Sequence, residues 1–95
     1  MVVVSVDRFN RSRLGLIVAC PLTRSVAAKP SNVVIEPPQA NLSFRSFVLL
    51  EHVRSISIER LGPRIGRVTA ATAAEIDERL RSLLGLREPR RAPSR

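Results

Sequence analysis

Three polar residues within four positions near the middle of the chain carry groups that can transfer a proton or bind a phosphate. Glu51, His52 and Arg54 follow directly after the apolar run 47–50. The end of a buried strand gives reactive groups a rigid support, so this stretch is a candidate catalytic site. The only histidine of the chain could act there as a general acid or base, because an imidazole can exchange a proton near neutral pH. Two other interpretations stay open: His52 bonded to backbone at the strand end, and Glu51 ion-paired with Arg54 or another arginine.

A second candidate group follows the apolar run 14–22. Thr23, Arg24 and Ser25 place two hydroxyls and a guanidinium just past the predicted end of that run. The Thr23 hydroxyl can serve a reaction, or it can satisfy a local turn, as threonine often does in loops. The sequence leaves both readings of Thr23 open.

The chain is strongly basic, and nearly all of its positive charge comes from arginine. The formal net charge is +8, and Lys29 is the only lysine among 16 basic residues. Arginine suits bidentate contact with phosphate, which predicts an acidic partner, either nucleic acid or an acidic protein segment. The alternative is that arginine reflects a GC-rich genome and only solvates the surface. With no Trp or Tyr and three Phe, an aromatic stacking platform for single strands is not expected.

The single cysteine and the hydropathy pattern restrict the class of protein further. Cys20 cannot form an intrachain disulfide and is predicted to be a small buried hydrophobe in a reducing cytosol. No Cys/His cluster has zinc spacing, so no metal or cofactor is expected. No run reaches the ~18 apolar residues of a membrane span, and residues 1–4 are too short for a signal sequence.

The hydrophobic pattern predicts a small α+β domain of one C-terminal helix and five or six short strands. The strands are predicted at residues 2–6, 14–22, 32–36, 46–51, 55–59 and 64–68, with polar loops at 7–13 and 25–32. Pro21 cannot donate to a ladder, so pairing is expected to weaken there.

The C-terminal helix is predicted over about 70–84. Thr69 is its expected N-cap and Gly85 its expected end. Its apolar stripe is formed by Ala73, Ile76, Leu80, Leu83 and Leu84. The domain is expected to cover residues 1–86, and the Pro- and Arg-rich residues 87–95 are predicted to be a disordered basic tail.

Four blocks of the sequence, in this order and spacing, resemble the MazF/PemK toxins of bacterial type II toxin–antitoxin systems. The blocks are residues 2–10, 18–23, 51–56 and 60–68, followed by the end of the helix at 83–86. The resemblance implies an SH3-like antiparallel β-barrel with a C-terminal helix, usually a homodimer. It also implies a cytoplasmic, metal-independent endoribonuclease that cuts single-stranded mRNA at short sequences. Its partner would be an antitoxin with an acidic, partly disordered tail.

Carried over residue by residue, the resemblance assigns roles to positions of this chain. Thr23 matches the catalytic Thr or Ser, and Glu51 with His52 matches a Glu-Gln pair, with His in place of Gln. We therefore predict Thr23, Glu51 and His52 as catalytic residues. The predicted RNA-binding residues are Asn10, Arg11, Arg24, Ser25 and Arg54.

The resemblance also implies a catalytic Arg in an Arg-Pro pair shortly before the first strand. Here Met1 stands where that strand is already under way, so we expect the Arg, the preceding strand and its loop to be missing from this sequence. Two explanations follow: a start codon placed too far downstream, or an impaired remnant that binds antitoxin or nucleic acid without cleavage. A small basic DNA-binding barrel is a third hypothesis, against which no recognition helix is evident.

Overall fold

The computed structural model describes residues 1–25 and 32–86. The strands are β1 (Val2–Val3), β2 (Leu16–Cys20), β3 (Leu22–Thr23), β4 (Asn32–Ile35), β5 (Ser46–Leu49) and β6 (Arg54–Ser57). The α-helices are α1 (Asp7–Asn10) and α2 (Ala70–Leu84), and 3-10 turns lie at Gln39–Asn41, Leu50–His52 and Ile58–Arg60. The predicted tail at 87–95 and most of the predicted loop at 25–32 lie outside the described residues.

The strands form two three-stranded antiparallel sheets, in the orders β1-β2-β6 and β3-β5-β4. The chain passes from the first sheet to the second at Pro21, which separates β2 from β3. This break confirms the predicted weakening, because proline lacks the N–H that would continue the ladder. The Pro21 carbonyl still accepts a hydrogen bond of 2.9 Å from the Leu49 N–H, so the junction stays next to the end of β5.

Helix α2 and the two sheets enclose the core. Its buried members are Cys20, Val33, Ile35, Val48, Leu50 and Ile76. α2 packs against β4 and the Leu50–His52 turn, and it contributes Ile76, which is 2% exposed. The predicted α+β class, with antiparallel strands and one long C-terminal helix, is therefore confirmed, and so is the burial of Cys20.

Both predicted ends of helix α2 are correct. The Thr69 Oγ1 accepts a hydrogen bond of 3.1 Å from the Thr72 N–H, and Gly85 has the left-handed φ of 73° that favours glycine. The predicted apolar stripe is only partly buried. Leu83 and Leu84 are 45% and 42% exposed, because burial falls off along the helix beyond Ile76 and Leu80.

The predicted strand at 64–68 was wrong. The segment before α2 is attached instead to the Gln39–Asn41 turn by two side chains, whose bonds to backbone replace a ladder. The Asn41 Nδ2 donates to the Ile65 carbonyl at 2.7 Å, and the Gln39 Oε1 accepts from the Thr69 N–H at 2.8 Å.

Several other boundaries also differ from the prediction. The loop predicted at 7–13 contains helix α1, and the first predicted strand is reduced to β1 at the edge of its sheet. The strands predicted at 46–51 and 55–59 end early, because the chain turns at Leu50–His52 and at Ile58–Arg60.

Gly66 is required by a close approach between two backbone segments. A Cβ at this position would lie 2.4 Å from both the carbonyl carbon and the oxygen of Ala40. We expect Gly66→Ala to lower the free energy of unfolding by about 1–3 kcal/mol, since main-chain atoms must shift to admit the methyl group. Urea unfolding measures this change, with the exposed Arg67→Ala as a control that should shift stability by less than about 0.5 kcal/mol. Equal stability of the two variants would contradict this prediction.

Candidate functional site

Thr23 is the last residue of β3, where it pairs with Phe47 of β5. Its Oγ1 accepts a hydrogen bond of 3.1 Å from the Ser25 N–H, which confirms that the hydroxyl takes part in a local turn. Among the described residues its hydroxyl proton has no acceptor, and the side chain is half-buried. The turn therefore orients a hydroxyl that can still donate a hydrogen bond.

Arg24 adds a positive charge directly after this hydroxyl. Its guanidinium carbon lies 4.3 Å from the centroid of the Phe44 ring, within the range of a cation–π contact. No carboxylate of residues 1–25 or 32–86 forms an ion pair with Arg24. The half-buried Thr23 hydroxyl and the exposed Arg24 guanidinium thus lie together near the N-terminal end of β5, where one phosphate could contact both.

Glu51 and His52 lie beyond the C-terminal end of β5, as the two exposed residues of the Leu50–His52 turn. The hydrogen bond from Leu49 to Pro21 brings this turn close to the end of β2. Arg54, the first residue of β6, pairs with Ala19 near the end of β2. The structure therefore places a carboxylate and an imidazole on a turn near the end of β2, with the guanidinium of Arg54 at the start of the neighbouring strand β6.

The two groups of predicted catalytic residues are separated within one chain. Cys20 and Thr23 are three residues apart on adjoining strands, and an extended chain of that length covers roughly 10 Å. Glu51 lies near Cys20, since its charge acts on that thiol, while Thr23 lies opposite Phe47. No hydrogen bond joins Thr23 to Glu51 or His52 in the described part of the chain.

The residues predicted in the loop at 7–13 occupy a third location. The Asn10 Nδ2 donates to the Ser5 carbonyl at 3.1 Å, its Oδ1 accepts from the Ser5 hydroxyl, and the Ser5 Oγ accepts from the Val18 N–H at 2.9 Å. The Asn10 amide thus holds α1 against β2. Arg11 forms a highly exposed ion pair with Asp7 at 3.5 Å, a contact worth little in stability.

Sequence reasoning missed two features of this surface. One is Phe44, an exposed aromatic ring in a loop, where no periodicity marks it. The other is an open groove of about 490 Å³ between the outer edge of β1 and residues 61–68, with Arg64 and Arg67 in its lining. The groove follows from the failure of 64–68 to pair as a strand, which the sequence pattern did not indicate.

The Cys20 thiol is buried among apolar side chains and titrates late. Burial raises the pKa of Cys20 from 9.0 to about 11, and the charge of Glu51 adds to the rise. A thiol with this pKa stays protonated at neutral pH, so Cys20 is a core residue rather than a nucleophile.

This thiol makes stability depend on pH in the alkaline range. Between pH 9 and 11 the unfolded chain releases a proton that the folded chain retains. The contribution of Cys20 to the free energy of unfolding is therefore complete below pH 9. It is lost as pH rises through 11, and the total loss is roughly 2–3 kcal/mol. Because the chain has no tyrosine and one lysine, few other groups titrate there. Urea unfolding of the protein and of Cys20→Ala should show a steeper fall for the protein; equal slopes would contradict this assignment.

The described residues hold no group of three or more His, Cys, Asp or Glu side chains that could bind a metal ion. Over residues 1–25 and 32–86, no helix has the length and apolar content needed to cross a bilayer. The chemistry available at this surface is that of hydroxyl, carboxylate, imidazole and guanidinium groups.

Comparison with known families gives a match over most of the chain. Residues 1–84 match the model of the PemK-like, MazF-like toxins of type II toxin–antitoxin systems. Among curated proteins, the chain is similar to the endoribonuclease MazF9 of Mycobacterium tuberculosis. The two are 39% identical over 90 residues, which cover 90% of this chain and 76% of that protein.

Solved structures give the same picture at the level of the fold. A MazE–MazF crystal structure from Deinococcus radiodurans superposes with a TM-score of 0.76 at 31% identity, covering 90% of this chain and 83% of that one. An endoribonuclease in complex with its cognate antitoxin, from a mycobacterial species, also gives a TM-score of 0.76. It is 30% identical and covers 92% of this chain and 81% of that one.

Proposed function

The chain belongs to the PemK-like, MazF-like toxins of type II toxin–antitoxin systems, and from that membership we propose that it is a metal-independent endoribonuclease. Its substrate would be single-stranded mRNA, cut at short sequences in the cytoplasm. The observation that carries this proposal is the 39% identity to an endoribonuclease along 90% of the chain. The net charge of +8 supports a polyanionic substrate.

The reaction proposed is attack of an RNA 2′-hydroxyl on its neighbouring phosphate. A bond forms between the 2′-oxygen and phosphorus, and the bond from phosphorus to the 5′-oxygen breaks, leaving a 2′,3′-cyclic phosphate and a 5′-hydroxyl. The site must accept the 2′ proton, return a proton to the 5′-oxygen and stabilise charge on the phosphate. No metal ion is required for this balance.

We assign these tasks to the two groups of side chains described above. Thr23 donates its free hydroxyl proton to a phosphate oxygen, and Arg24 beside it supplies positive charge. Glu51 and His52 are the groups that can exchange protons. The remaining predicted RNA contacts are Asn10, Arg11, Ser25 and Arg54.

The separation of Thr23 from Glu51 and His52 supports a homodimer, in which two copies would combine their groups into one site. Exposed apolar side chains support the same proposal: Leu83, Leu84 and Leu86 stand 42–54% exposed at the end of α2. Contiguous apolar surface of this kind is typical of protein–protein contacts. Two three-stranded sheets joined at Pro21 also support the finer assignment of an SH3-like barrel.

The protein partner proposed is a cognate antitoxin with an acidic, partly disordered tail. Arginine-rich surfaces attract acidic segments, and two similar structures are complexes with MazE or with a cognate antitoxin. Such a tail would compete with RNA for the same positive charges, which would account for neutralisation.

The test is an RNA cleavage assay in buffer containing EDTA. The 95-residue chain would be compared with the same chain preceded by an Arg-Pro-containing strand, on one long RNA in single-stranded and in duplex form. We expect discrete cuts in the single strand only. If neither form of the protein cuts, the enzymatic proposal fails, and RNA binding without cuts would then identify a non-catalytic binding module.

A further inference from the structure

We propose that Phe44 and Arg24 form a stacking site for one nucleobase of single-stranded RNA, directly beside Thr23. This inference rests on the proposed function, since it places a base next to the phosphate that Thr23 would contact. It also revises the expectation that so few aromatic residues exclude base stacking. One exposed ring in the right place is sufficient.

Strand pairing brings Phe44 to this position. Thr23 pairs with Phe47, so the residues before β5 lie beside those that follow β3. The Ser46 hydroxyl donates to the Phe44 carbonyl at 3.0 Å and fixes the backbone just before the strand. The guanidinium of Arg24 then lies over the Phe44 ring at 4.3 Å. The ring is therefore held close to Thr23 by contacts on both sides of the β3–β5 pair.

Burial distinguishes Phe44 from the other two phenylalanines. Phe44 is 58% exposed, Phe47 is 4% exposed, and Phe9 is intermediate. An exposed aromatic ring does not stabilise the core. A nucleobase of any type can stack on it, because every base has a π-face. Arginine beside it can stack on a base and contact a phosphate with its N–H groups.

The chain contains a second arginine–phenylalanine pair that serves as an internal comparison. The Arg45 guanidinium carbon lies 5.5 Å from the Phe47 centroid, and the Arg45 Nε lies 3.0 Å from a Glu36 carboxylate oxygen. The Phe47 ring is buried and the Arg45 charge is paired, so a base cannot stack on this pair. Among the described residues no carboxylate pairs with Arg24, and the Phe44 ring beneath it is open to solvent.

The experiment measures binding of two probes of equal charge. One is a mixed-sequence single-stranded oligonucleotide with 2′-O-methyl groups, which cannot be cut by 2′-hydroxyl attack. The other has the same backbone without bases. The proteins are the full chain, Phe44→Ala, Phe44→Trp and Arg45→Ala, with far-UV circular dichroism and urea unfolding as checks of the fold.

We expect Phe44→Ala to weaken binding of the base-carrying probe by about 10-fold and to leave binding of the abasic probe unchanged. Phe44→Trp should retain the preference for bases, and Arg45→Ala should affect both probes alike. Phe44→Ala binding both probes as the full chain does, or losing both equally, would overturn the stacking site. If the chain cuts no RNA but Phe44→Ala shows the selective loss, the nuclease proposal fails and the stacking site stands.

Discussion

Replacing Thr23 with alanine is expected to lower the rate of RNA cleavage by about 10²–10³-fold, the usual effect of removing one donor to a charged transition state. The Thr23 hydroxyl accepts from the Ser25 N–H and has no acceptor of its own among the described residues, so its proton is available to a phosphate oxygen. Negative charge grows on that oxygen during 2′-hydroxyl attack, so the hydrogen bond from Thr23 is stronger in the transition state than in the bound substrate. Single-turnover cleavage in EDTA measures the effect on the chemical step.

The matched control for this substitution is Thr23→Ser. It keeps the hydroxyl, its bond to the Ser25 N–H and its free proton, so it should retain cleavage within about 10-fold. Urea unfolding must accompany both variants, because alanine also removes the acceptor of the turn. A folded Thr23→Ala protein that cuts at the full rate would remove Thr23 from the mechanism.

The second large effect is expected in the core, at the buried first residue of the turn that also carries Glu51 and His52. Leu50 is fully buried and belongs to the cluster that includes Val48 and Ile76. Leu50→Ala should lower the free energy of unfolding by about 2–5 kcal/mol, since it removes buried methyl groups and leaves a cavity. Urea unfolding of the purified variant measures this loss.

Two variants show whether the loss comes from packing. Leu14 is 65% exposed, so Leu14→Ala should change stability by less than about 0.5 kcal/mol. Leu50→Met conserves volume and should cost less than about 1.5 kcal/mol. A loss for Leu50→Ala no larger than that for Leu14→Ala would show that the core does not depend on this side chain.

The parts of the fold that sequence predicted well depend on local chemistry. Thr69 and Gly85 mark the ends of α2 through a hydroxyl cap and a left-handed backbone, both set by neighbouring residues. Pro21 interrupts pairing through its own missing N–H. The segment 64–68 was mispredicted because its partners, the side chains of Gln39 and Asn41, lie more than twenty residues earlier in the chain.

The candidate site shows the same division. The ends of the apolar runs correctly placed Thr23 at the end of a strand and Glu51 and His52 shortly after one. They did not indicate the separation between these groups, which depends on sheet pairing. Phe44 was missed because a ring in a loop has no periodic signal. Leu83 and Leu84 follow a core-like pattern although a single chain leaves them exposed, because periodicity does not tell a core from an interface.

Cleavage of an RNA with a single 2′-deoxynucleotide at a mapped cut site shows whether the 2′-hydroxyl is the nucleophile. We predict that this site stays uncut in EDTA while the other sites are cut as before, because the attacking group at that one phosphate is gone. Cleavage of the deoxy site at the rate of the unmodified RNA would show that the 2′-hydroxyl is not the nucleophile, and would contradict the mechanism.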